Sequence, residues 1–141
     1  MAIKLDISKA YDRVEWGYLE AMIRKMGFQE RRISLMMMCV TTVSYSMLIN
    51  GKPKGRIAPT RGLRQGDPIS SYLFLLCAEG LSAMLRRDEA ENNFRGISVC
   101  RGAPRVSHLL FVDDCIVFCK ALVDEGLKVT KILEKYERES R

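Results

Sequence analysis

Three aspartates have neighbours that suit metal chemistry. Asp6 closes a short apolar run, Ile3-Lys4-Leu5-Asp6-Ile7, and Asp113-Asp114 separates two others, Val106-Ser107-His108-Leu109-Leu110-Phe111-Val112 and Cys115-Ile116-Val117-Phe118-Cys119. Hard divalent cations take oxygen ligands and keep several waters. Two such ions about 3.5–4 Å apart stabilise both the attacking and the leaving oxygens of a phosphoryl transfer. In that arrangement Asp6 and Asp113 bridge the ions and Asp114 supports them, provided that the strand ending at Asp6 or Ile7 pairs beside the hairpin. Taken alone, Asp113-Asp114 reads first as a solvated acidic turn. Yet a two-residue turn normally wants Gly or Asn at positive φ, and adjacent carboxylates repel. Local rules broken without visible gain tend to mark functional sites.

The elements that must position these acids follow from periodicity. Trp16, Leu19, Ile23 and Met26 recur at helical spacing, with Gly27 as the stop. A second helix carries Ile33, Met36, Met37 and Val40 on one face, its methionines read as core. Tyr45–Ile49 and Arg56–Ala58 flank Asn50-Gly51, a hairpin signal. A basic, glycine-containing loop, Arg61-Gly62-Leu63-Arg64-Gln65-Gly66, leads to Asp67-Pro68, an N-cap followed by a first helical residue. That helix runs to about Arg87, with Leu73, Leu76, Leu81 and Met84 inward. A short strand is expected near Ile97–Val99. The last helix covers roughly Asp124 to Glu137 and buries Leu127, Ile132, Leu133 and Tyr136. The order is that of an α+β fold, with helices on one face of a mainly antiparallel sheet.

At 141 residues and 48% hydrophobic, the chain suits one folded domain over 1–141 rather than a disordered segment. No apolar run reads as a membrane span and no secretory signal opens the chain, so no membrane partner is expected. The abrupt start on a strand points to missing upstream sequence. Five cysteines, Cys39, Cys77, Cys100, Cys115 and Cys119, at irregular spacing, with His108 as the one histidine, read as reduced intracellular thiols in or near the core rather than a zinc site. Lys52, Lys54, Arg56, Arg61 and Arg64 lie in one stretch with no acid among them, which suits a polyanionic partner as well as it suits a solvated loop. His108 reads as a packed, hydrogen-bonded side chain, and Trp16 as core.

The combination Lys4-Leu5-Asp6-Ile7-Ser8-Lys9-Ala10-Tyr11-Asp12-Arg13-Val14, then Arg61-Gly62-Leu63-Arg64-Gln65-Gly66-Asp67-Pro68, then Phe111-Val112-Asp113-Asp114 resembles reverse transcriptases. It looks most like the LINE-type, non-LTR retrotransposon enzymes abundant in plants; intron-encoded reverse transcriptases are a same-class alternative. The resemblance implies a polymerase palm-like sheet, with fingers and thumb lying outside these residues. It implies RNA-directed DNA synthesis: two Mg²⁺ ions (or Mn²⁺), a template-primer and dNTPs. By resemblance, Asp6, Asp113 and Asp114 are the catalytic carboxylates and the Ile7 carbonyl a further metal ligand. Tyr11 would lie beneath the incoming sugar and disfavour a 2′-OH; from the residues alone it reads as a core tyrosine. Gln65 and Gly66 would contact nucleotide and template, Gly66 otherwise being a plain turn glycine. Arg64 would touch phosphate, or be a surface charge.

The sequence departs from the family pattern at Ser71 (commonly Pro), Val112 (Ala), Cys115 (Ser) and Arg31 (often Trp). Cys115 removes a hydrogen-bonding group near the acids without removing a metal ligand. With the fingers and thumb outside these residues, the isolated chain is expected to be weak or inactive. A non-catalytic nucleic-acid-binding remnant and an inert retroelement relic are the rival readings. The compartment stays open between nucleus and cytoplasm.

Overall fold

The computed structural model describes residues 1–6, 9–111 and 114–140, and Asp6 by its backbone alone. Strand β1 (Ala2–Asp6) leads through a single 3-10 turn (Tyr11–Arg13) into helices α1 (Trp16–Lys25) and α2 (Glu30–Thr41). The hairpin β2 (Tyr45–Ile49) and β3 (Lys52–Ile57) follows, then the long helix α3 (Pro68–Ala90). Short strands β4 (Ile97–Ser98) and β5 (Arg105–Val106) precede β6 (His108–Phe111), β7 (Asp114–Phe118) and helix α4 (Val123–Glu139). All strand pairs are antiparallel, and the fold is α+β as expected.

The strands form three separate sheets. The main one has the order β1-β7-β6, so the first strand of the chain pairs with the last. Its alternation separates two faces. Cys115 and Val117 are buried, and Ile3, Leu5 and Leu110 pack with them against α3 and α4. On the other face Leu109 and Phe111 are exposed. Among the described residues, α3 and α4, with Phe94 between them, cover the buried face of this sheet. Helices α1 and α2 instead build a separate core with the first half of α3, around Leu19, Ile23, Ile33 and Leu73; along the chain this is the first core and the one against the sheet the second.

Helix α3 therefore serves both cores, contributing Leu73, Phe74 and Cys77 to one and Leu81 and Leu85 to the other. That double role explains why it runs to Ala90, and why residues on more than one side of it are apolar. By length and composition it is apolar enough to cross a membrane, contrary to the reading of the sequence, with 44% of its most apolar window buried in the fold. It starts as expected: Asp67 Oδ1 accepts from the Ile69 N–H at 3.1 Å, and Pro68 takes the first helical position. Tyr18 of α1 and Tyr136 of α4 stand edge to face, 6.0 Å apart, and both hydroxyls donate to the Cys77 carbonyl, tying the two cores together.

Two expectations need correcting. In α4 the buried positions are Val129 and Ile132, with Leu133 and Tyr136 half-buried, whereas Leu127 is 55% exposed. Residues 129, 132, 133 and 136 keep helical spacing, and 127 lies off that stripe. Of the cysteines, Cys77, Cys115 and Cys119 are buried while Cys39 and Cys100 are exposed; all five are free thiols. Burial pushes the Cys115 thiol up to about 11 and Cys77 to about 12, so both stay protonated near neutrality.

Candidate active site

The pairing the carboxylate hypothesis requires is present. Strand β1 lies beside β7 with Asp6 opposite Asp114, Leu5 opposite Cys115 and Ile3 opposite Val117. Residues more than a hundred positions apart are thus neighbours at one end of the main sheet. Asp113 and Ile7 lie outside the described residues, as does the Asp6 side chain.

The structure revises the position of Asp114. It is not at the hairpin tip but is the first residue of β7, opposite Phe111 of β6 on one side and Asp6 of β1 on the other. Positions 112 and 113, outside the described residues, connect the two strands. The register is set by Cys115 and Val117, which must face the helices. Asp114 is held by the central strand, and its half-exposed carboxylate lies 3.2 Å from the Lys4 ammonium. Sequence reasoning assigned Lys4 no role; its signal is a lone cation inside an otherwise apolar strand. Among the described residues no three His, Cys, Asp or Glu side chains come together to hold a metal. The donors at this sheet end still suit a hard cation: Asp114 offers carboxylate oxygens, one of them already facing a positive charge, and stands in register with a second aspartate.

Tyr11 opens the 3-10 turn that follows β1. Its ring is stacked on Phe74 of α3, with centroids 4.8 Å apart and an interplanar angle of 13°. Its hydroxyl reaches the Ser71 hydroxyl at 3.4 Å. Tyr11 is thus half-buried at the margin of the first core. Ser71 gives that hydroxyl its partner.

The loop before α3 is fastened to the same segment. The Leu63 N–H donates to the Tyr11 carbonyl and the Gly62 N–H to the Val14 carbonyl, both at 2.8 Å. The Trp16 indole N–H closes the set on the Gly62 carbonyl, also at 2.8 Å. Trp16 therefore packs against the core, as expected, and hydrogen-bonds as well. In this loop Gly62 lies close against the chain's own backbone: at φ +90°, a Cβ there would meet the Asp12 backbone at 3.2 Å. Gly66 sits at φ +83° with nothing within 4 Å, the geometry of a turn glycine beside open space. Gln65, Gly66 and Arg64 are exposed.

Arg61 bonds Glu15 at 3.2 Å. Both arginines, with Asp12, Tyr45 and Asp67, line a cleft of about 210 Å³ between α2, the hairpin and the start of α3. Lys52, Lys54 and Arg56 are exposed on β3. His108 is packed as expected, its Nε2 2.8 Å from the Ser82 hydroxyl and its Nδ1 3.0 Å from that of Ser107. Burial, then the Arg86 charge, lowers its pKa.

This sheet end sets Asp6 and Asp114 in register, with the Tyr11 turn and the Gly62 loop fastened to each other beside it. The chain matches the family described as reverse transcriptase (RNA-dependent DNA polymerase) over residues 1–141, and it belongs to that family. It is 38% identical over 128 residues to the Pol polyprotein of the type-1 retrotransposable element R2 of Nasonia vitripennis, covering 89% of this chain and 11% of that protein. It is 28% identical over 122 residues to a 149 kDa transposon TX1 protein of Xenopus laevis, covering 86% of this chain and 9% of that one. An uncharacterised mitochondrial protein of Arabidopsis thaliana is 54% identical over 67 residues, 48% of this chain and 55% of its own length. The chain thus spans about half of one of these relatives and about a tenth of the others.

Proposed function

We propose that this chain carries the catalytic carboxylates of an RNA-directed DNA polymerase of the LINE-type, non-LTR, plant retrotransposon kind, in a palm region. The observation that carries the reading is the β1–β7 register, which sets Asp6 opposite Asp114 beside position 113. In this reading Asp6, Asp113 and Asp114, with the Ile7 carbonyl, hold two Mg²⁺ ions, or Mn²⁺ in their place. The ions, when bound, supply the charge that stabilises attacking and leaving oxygens in phosphoryl transfer. The substrates are a template-primer and dNTPs: the primer 3′-OH attacks the α-phosphate and pyrophosphate leaves. Tyr11 lies under the incoming sugar, its ring stiffened by Phe74 and its hydroxyl turned to Ser71. Gln65 and Gly66 meet the nucleotide and template, where open space adjoins Gly66.

Lys52, Lys54, Arg56, Arg61 and Arg64 bind the nucleic-acid backbone. Between Glu30 and Asp67 there are seven basic residues and no acid, while the rest of the chain is nearly balanced, with 16 basic and 17 acidic residues. This concentration also favours a second reading, a nucleic-acid-binding module without catalysis.

Positioning supplies much of phosphoryl-transfer catalysis, so the isolated chain extends primers slowly or not at all. Primer extension with Mg²⁺ or Mn²⁺, by this chain alone and grafted into a longer relative in place of the matching segment, tests the reading. The graft is expected to extend a primer and to lose extension on Asp113→Asn. A graft that folds and binds template-primer but extends nothing, or one indifferent to Asp113→Asn, overturns the catalytic reading and leaves the binding one.

A further inference from the structure

Lys4 is the one basic residue of β1, and its ammonium lies 3.2 Å from Asp114 Oδ1. Its register partner is Ile116, so the side chain reaches diagonally along the sheet to an acid two residues away. Among the described residues it is the ion-pair partner of Asp114. Both side chains are open to solvent, at 64% and 39% exposure, so the contact is weak and easily exchanged. An ammonium carries three donors and no acceptor. It satisfies a carboxylate oxygen, and sharing that oxygen with a divalent ion at contact distance is disfavoured because the two positive charges repel.

We propose that Lys4 is a positioning residue for Asp114 and a built-in competitor of the divalent cation, holding the carboxylate in the metal-free state and yielding it when the ion arrives. The proposal rests on the metal-binding reading above and adds to it a determinant of affinity. Removing the ammonium then tightens divalent-ion binding, by the factor a solvent-exposed ion pair can supply, about two- to five-fold. The effect must vanish when Asp114 no longer carries charge.

The test is Mn²⁺ binding to the 141-residue chain, read by the paramagnetic resonance of the free ion and by calorimetry. The chains compared are unaltered, Lys4→Met, Lys4→Gln, Asp113→Asn, Asp114→Asn and Lys4→Met with Asp114→Asn, with circular dichroism confirming that each folds. Lys131→Met, at an exposed lysine of α4, gives the change that net charge alone produces. Tighter binding in both Lys4 variants, beyond that of Lys131→Met and absent in the Asp114→Asn background, is the expected result. Binding that Asp113→Asn weakens but that Lys4→Met leaves unchanged overturns the role of Lys4 and spares the metal site. The same gain in the Asp114→Asn background also overturns it, since Lys4 would then act elsewhere. No saturable Mn²⁺ binding by any of the chains overturns both.

Discussion

Gly80 lies in the interior of α3, where alanine normally stabilises a helix by about 1 kcal/mol. Here the opposite is expected. A Cβ on Gly80 would overlap the Tyr18 hydroxyl of α1, with Tyr18 Cζ 3.3 Å and Met22 Cε 3.4 Å away. The hydroxyl cannot simply swing aside. It donates to the Cys77 carbonyl at 3.3 Å, and its ring stands edge-on to Tyr136 at 6.0 Å. Overpacking costs about 1–3 kcal/mol, and a lost hydrogen bond about 0.5–1.5 kcal/mol more. Set against the helical gain, Gly80→Ala should destabilise by about 0.5–3.5 kcal/mol. In a Tyr18→Phe background the overlapping oxygen is gone and the ring edge, 3.3 Å from the new Cβ, need give by only a few tenths of an ångström, so Gly80→Ala should be close to neutral, or stabilising by up to about 1 kcal/mol. Urea denaturation of the four chains, followed by circular dichroism, gives the coupling as a double-mutant cycle. A higher midpoint for Gly80→Ala alone, or equal losses in both backgrounds, would refute the reasoning. The contact matters for the site because α1 and α3 together hold the Tyr11 turn against the loop that carries Gln65 and Gly66.

Other expectations can be checked with the same chain. Ile132→Ala, at a position 5% exposed, should cost about 2–5 kcal/mol in urea unfolding, whereas Leu127→Ala, at 55% exposure, should change the unfolding free energy by no more than about 0.5 kcal/mol. His108 has its pKa lowered by burial, so the unfolded chain binds more protons than the folded one below the unfolded value. Stability should therefore fall as pH drops from about 6.5 toward the folded pKa, and His108→Gln should remove that slope from urea midpoints measured across the window. If Lys52, Lys54 and Arg56 contact phosphates, replacing all three with Gln should weaken single-stranded RNA binding. It should also flatten the slope of log affinity against log salt by about 2, at about 0.7 per contact; an unchanged slope would place the nucleic acid elsewhere.

Much of the local structure was legible in the residues. Asn50-Gly51 marked the β2–β3 turn, Asp67-Pro68 the start of α3 and Gly27 the end of α1, because each depends on groups within a few positions. The strands around the acids were legible for the same reason, and so was the packed state of His108. Other features came only with the fold. Asp114 belongs to β7 rather than to a turn because Cys115 and Val117 must face α3 and α4, which fixes the register. Leu127 is exposed because the second core engages the stripe through Val129 and Ile132. Helix α3 is apolar on several sides because two cores meet along it. The Lys4–Asp114 contact joins residues far apart in the chain, and no local pattern encodes it. The sequence by itself determined which residues could turn, cap, alternate and bind metal, since those are properties of neighbouring atoms. The tertiary structure decided which acids face which strand, because pairing and burial come from long-range contacts that exist only once the first strand has closed against the last.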